Sequence, residues 1–267
     1  MDGEFRGAGN YWKISYKWRG IICAFGAIVN SMNDLWTTFS TAIAQLLSGD
    51  PELWGIVGVS FSVSASALLI ALLPALSAGF VLAYFRFPGR WVAISLLNSL
   101  LAVPTVVVGL VLYMLLSRAG PLGDLNLLFT RPAMIIGQIL LCFPLLVAMS
   151  LSAFQAADHR VLETAKTLGA RPLQAFVTLL FEVRFALLAA VVTAFGRIIA
   201  EVGSAMMVGG NILHHTRNIT TAIALETGKG EFVQGVALGI VLLVMALILN
   251  VSLGWMQSHS RVLRHGT

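Results

Sequence analysis

Four stretches of this chain contain no Asp, Glu, Lys or Arg: residues 54–83, 91–117, 133–157 and 232–256. Each is longer than the ~20 apolar residues that carry a helix across a bilayer core of ~30 Å. In hydrocarbon a backbone must satisfy its own hydrogen bonds, and a segment of this length does so as a helix. Charged residues make up only 11% of the chain, where a soluble domain has about 25%, and mean hydropathy is +0.87. A soluble globular enzyme and a disordered chain are both excluded. The fold class is all-α integral membrane.

Cys23 and Cys142 are the only cysteines, so neither a disulfide framework nor zinc spacing is available. The net charge of +5 fits basic loops on the cytoplasmic side and no nucleic-acid partner. Gly228-Lys229 lacks the upstream glycine and the following hydroxyl of a phosphate-binding loop. Any ATP-driven work therefore belongs to another chain, and no cofactor is expected in this one.

Residues 1–33 read as a poorly ordered extension. Arg6, Lys13, Lys17 and Arg19 precede an apolar run at 21–29 that is too short to span, and Met32 is a candidate start. Residues 34–50 read as an amphipathic interfacial helix. Leu35, Phe39, Ile43 and Leu46 recur at helical spacing, Asn33 or Asp34 caps the start, and Ser48-Gly49-Asp50-Pro51 ends it. The transmembrane domain occupies 53–257. Its spans are expected at 54–85 with a kink at Pro74, 91–117 across Pro104, 133–154 across Pro144, 186–207 and 232–256, and a tail follows at 258–267.

Basic residues orient the five spans. One side holds Arg86, Arg90, Arg160, Lys166, Arg171, Arg184, Arg261 and Arg264, and the other Arg118, Arg131, Arg217 and Lys229. The 155–184 link and the C-terminus are thus expected in the cytoplasm. Counting the extension would even the two sides, which argues against it as an outer segment.

Three constellations stand out. In the 155–184 link, Asp158 and Gly169 bracket a short helix with Leu162, Ala165 and Leu168 on one face, either a solvated loop helix or a docking element. In the fourth span, Arg197 and Glu201 stand four apart, on one face of a helix. Charges at membrane depth need a partner or a watery cavity, so the pair is a structural ion pair or lines a path. After Gly203, Met206-Met207-Val208-Gly209-Gly210-Asn211 ends in paired glycines, either a plain helix cap or a cradle of N–H groups for an anion. His214-His215 are adjacent and so diverge by about 100° on a helix, which does not suit a metal.

The run Glu163-Thr164-Ala165-Lys166-Thr167-Leu168-Gly169-Ala170 resembles the Glu-Ala-Ala…Gly signature of ABC importer permeases, with Thr164 in place of the middle alanine. The usual Ile-x-Leu-Pro continuation is Leu179-Leu180-Phe181-Glu182 here, without the proline. The stretch from Gly196 to Gly230 resembles the oxyanion branch, most of all tungstate permeases, with molybdate and then sulfate as the next readings. Pro88-Gly89-Arg90 and Gly120-Pro121-Leu122-Gly123 fit that group too.

The resemblance implies a type I importer fold of five spans working as a homodimer in the cell membrane. It implies two ATPase chains docked on Glu163, Thr164, Ala165, Leu168, Gly169 and Ala170, and an extracytoplasmic oxyanion-binding protein. The expected path residues are Arg197, Glu201, Gly203, Gly209, Gly210 and Asn211. An ATP-independent transporter is the distant alternative, for want of internal repeats. An integral membrane enzyme lacks a nucleophile–base or metal set.

Overall fold

The computed structural model describes residues 36–157 and 159–265. The expectations for residues 1–33, for Asn33, Asp34 and Leu35, and for Asp158 as a cap lie outside the described residues. Helix α1 covers 36–47. Ala42 is its buried point, packed with Leu53 and Ile56 of the next helix, while Trp36, Phe39, Ile43 and Leu47 stay exposed. Gly49 turns the chain at φ +74°. Asp50 then serves both neighbours, its carboxylate accepting from the Glu52 N–H at 3.0 Å and from Gln45 Nε2 at 3.2 Å.

Helix α2 (Pro51–Tyr84) runs unbroken through Pro74 for 34 residues, about 51 Å and well over the bilayer core. It forms the axis of the bundle with α5 (Arg131–Gln155). Small residues allow the close approach that drives helix association in lipid. Ala67, Ala71 and Ala75 pack on Cys142, Leu146 and Val147, together with Ala194 and Ile198 of α8 (Arg184–Ile199). Gly79 lies where a Cβ would run into the Ser150 hydroxyl.

Two expected spans are broken. The second is α3 (Arg90–Leu101) and α4 (Thr105–Leu116), bent by 99° across Ala102–Pro104. Pro104 has no N–H to donate, and it disfavours helical geometry at the residue before it. The fourth span ends early. Helix α8 stops at Ile199, and α9 (Gly203–Gly209) is a separate short helix. At its other end α8 bends by 77° from α7 (Pro172–Glu182).

Helix α10 (Ile219–Lys229) follows a turn-rich loop, and α11 (Phe232–His265) closes the fold. Helix α11 continues through most of 258–267, which was expected as a separate tail. Among the described residues, three continuous helices, α2, α5 and α11, are long and apolar enough to cross a membrane. Two bent pairs, α3–α4 and α7–α8, bring the count to five if each is one crossing. No strand occurs among the described residues.

Candidate functional site

The 155–184 link forms a helical hairpin. Its first arm, α6 (His159–Thr167), leads into Gly169 at φ +79°. That is the left-handed C-terminal glycine expected from the sequence. A Cβ on Gly169 would meet no atom within 4 Å, so backbone conformation and open surroundings, not crowding, explain glycine there. Glu163, Thr164 and Leu168 are exposed and Ala170 is half-buried; Leu168 is 83% exposed just past the helix end. Ala165 lies within α6.

An open cleft of about 510 Å³ between the arms is bordered by Arg160, Val161, Thr164, Leu168, Ala170 and Thr178. The second arm is anchored. Ala175, Leu179 and Val183 of the α7 segment bury against Ala153, Phe154, Ala157 and Leu187. Phe176 packs edge-on to Phe80 at 4.9 Å, and the Tyr84 hydroxyl donates to the Phe154 carbonyl at 3.0 Å. The hairpin is therefore anchored through its α7 arm, and α6 exposes Glu163, Thr164 and Thr167. The bend after Glu182 forms without the proline that the resemblance leads one to expect.

At the other end of the bundle, the Arg197–Glu201 expectation is corrected. The helix ends at Ile199, so the two residues do not share a helix face, and no ion pair joins them. Arg197 is exposed. Glu201 is 6% exposed, and its Oε1 accepts from the Ser204 N–H at 3.0 Å, capping α9. Its carbonyl accepts from the Thr220 hydroxyl at 2.7 Å. Asn218 caps α10, with Oδ1 accepting from the Thr221 N–H at 2.9 Å. The Ile219 N–H donates to Ser60 Oγ of α2 at 2.7 Å. One polar node thus ties α2, the α8–α9 break and the start of α10.

The glycines have packing roles. A Cβ on Gly203 would lie 2.6 Å from Val106 Cγ2, and one on Gly109 would lie 2.7 Å from Ser204 Cα. Helices α4 and α9 therefore pack almost backbone to backbone. A Cβ on Gly209 would meet Met134 Sδ at 2.9 Å, and one on Gly210 would meet the Phe129 ring at 2.5 Å. Gly210, at φ +68°, donates its N–H to the Met206 carbonyl at 3.2 Å. The paired glycines are a helix cap with Phe129 beside an exposed Gly210, and the cradle does not form because the Gly210 N–H is already bonded to Met206. Asn211, also in the left-handed region at φ +53°, donates Nδ2 to the Thr221 carbonyl at 3.3 Å.

Sequence reasoning missed two ties here. Arg131 Nε donates to the His215 carbonyl at 2.8 Å, pinning the start of α5 to the loop before α10. Glu226 is buried beside Lys229 at 3.1 Å and Arg217 at 3.9 Å. The i, i+3 spacing of Glu226 and Lys229, and Asn218 three residues before Thr221, were local signals available in the sequence. Arg131 and His215, 84 residues apart, left none.

The described helices form an apolar bundle with an inserted helical hairpin, the architecture of a multi-pass membrane protein. Residues 75–261 match the family described as the binding-protein-dependent transport system inner membrane component. The chain belongs to that family and is a multi-pass inner-membrane protein. The tungstate uptake system permease protein TupB of Campylobacter jejuni is 41% identical over 212 residues, covering 79% of this chain and 89% of the relative. The protein of the same name from Peptoclostridium acidaminophilum is also 41% identical over 212 residues, covering 79% and 93%. The molybdenum transport system permease ModB of Escherichia coli K12 is 29% identical over 223 residues, covering 79% and 96%. Among solved structures, a bacterial ABC transporter for import of the acidic polysaccharide alginate superposes with a TM-score of 0.67 at 15% identity, covering 94% and 98%. That likeness concerns the fold.

Proposed function

We propose that this chain is the permease subunit of an ATP-driven tungstate importer. The observation that carries the reading is the 41% identity, over most of both chains, to two tungstate uptake permeases, against 29% to a molybdenum permease. The permease makes and breaks no covalent bond and holds no cofactor of its own. It works as a homodimer, with a separate ATPase docked on each copy at Glu163–Gly169 and an oxyanion-binding protein delivering the anion to the opposite face.

In this reading α6 is cytoplasmic, on the side with more Lys and Arg. Its exposed Glu163, Thr164 and Leu168 meet the ATPase, and the buried α7 arm passes the displacement to α2 and α5 through Phe80, Tyr84 and Phe154. ATP binding brings the α6 helices together and opens the path outward, and hydrolysis resets it. A path with few charged contacts suits a dianion, because a strong site inside the membrane would hold it.

Tungsten, molybdenum and sulfur uptake, measured by mass spectrometry, tests this in cells lacking the chain and in cells with it restored. Tungsten accumulation is expected to depend on the protein. Dependence for molybdenum alone would move the reading to molybdate, and dependence for no oxyanion would overturn it.

A further inference from the structure

The two helix breaks lie side by side. Gly203, just after the Ala200–Val202 break, faces Thr105 and Val106, just after the Ala102–Pro104 break. Their depth follows from α5. Gln138 Nε2 donates to the Ile198 carbonyl at 3.3 Å, and Gln138 stands seven residues, about 10 Å, in from Arg131. Helix α5 is about 37 Å long, so it exceeds a ~30 Å core by only about 7 Å. Even with all of that excess at the Arg131 end, the breaks stand inside the hydrocarbon.

Non-helical backbone is tolerated at that depth only against protein or water, never against lipid. Yet Ala102, Pro104, Ala200 and Val202 are exposed. The same face of α9 and α4 exposes Met206, at 40%, with Met207, Val106 and Leu110. The exposed face of α11, around Leu247, is an uninterrupted helix and has no such restriction.

From this geometry we infer that the α4–α9 face, with Val106, Leu110, Val202, Met206 and Met207, lines the aqueous path of the anion. The buried Glu201 does not. The inference rests on the importer reading and adds where the path runs. Its lining is apolar, with two soft methionines, which offers a dianion no binding partner.

The test is thiol labelling of the full complex, with its ATPase and binding protein, in membrane vesicles. Met206→Cys and Val202→Cys are compared with Leu247→Cys, using a membrane-impermeant cationic methanethiosulfonate. The modified residue is read by peptide mass spectrometry, so Cys23 and Cys142 stay in place. A thiol in hydrocarbon stays protonated and unreactive, so either path variant should react at least about ten-fold faster than Leu247→Cys. Two path variants guard against one failing to assemble. Equal, slow labelling at all three positions, with and without trapped ATP, would overturn the inference. Failure of the unsubstituted protein to support tungstate uptake would overturn the importer reading instead, whatever the labelling.

Discussion

The Thr220 hydroxyl donates to the Glu201 carbonyl at 2.7 Å, and so closes the start of α10 onto the gap between α8 and α9. The same residue's carboxylate caps α9 through the Ser204 N–H. A buried acid thus supports two helix starts, and its charge has no ion-pair partner among the described residues.

Hydrogen bonding, more than charge, should therefore account for Glu201. Glu201→Gln keeps an acceptor for the Ser204 N–H and is expected to leave thermal stability nearly unchanged. Glu201→Ala leaves that donor unmet at a cost of about 1–3 kcal/mol. Melting temperatures of the purified complex check the order. Equal losses in both variants would point to the charge.

Gly203 and Gly109 should tolerate no side chain. Gly203→Ala forces a methyl group onto Val106, and overpacking of this kind costs about 1–3 kcal/mol. Gly239→Ala in α11 meets nothing within 4 Å and should be neutral or slightly stabilising. A thermal shift of the same size in both would contradict the tight α4–α9 contact.

Gly169→Asp should uncouple the chain without unfolding it. The site is uncrowded, so the structural cost is limited to the left-handed backbone, about 1–2 kcal/mol. Protein level in the membrane should hold, while tungstate uptake and the transport-linked part of ATP hydrolysis fall together. Normal uptake at a normal protein level would remove α6 from the coupling role.

Glu226 should matter far more than Lys229. Glu226→Ala strands Arg217 half-buried, and removal of one member of a buried pair costs about 3–5 kcal/mol. The Lys229 side chain is 47% exposed and Arg217 stays at 3.9 Å from the carboxylate, so Lys229→Ala should cost less than Glu226→Ala. Unfolding of the two variants followed in parallel checks the ranking.

The apolar spanning segments and the short helix ended by Gly169 were legible in the sequence because each is local. Hydropathy sums over about twenty neighbours, and a left-handed glycine or an Asn cap acts within one turn. Whether a span is one helix or two is decided elsewhere. A hydropathy profile carries Ala102–Pro104 and Ala200–Val202 inside continuous apolar runs. The chain breaks there as Gly109 and Gly203 bring α4 and α9 into near contact, and the Thr220 hydroxyl donates to the Glu201 carbonyl freed at the second break. Arg197 and Glu201 looked paired because they stand four apart on an unbroken helix, and the break separates them. The sequence by itself determined an all-helical, multi-pass membrane transport subunit with an exposed hairpin helix ending at Gly169. Tertiary packing alone decided which polar groups are buried and which apolar face remains open, since both depend on contacts between segments far apart in the chain.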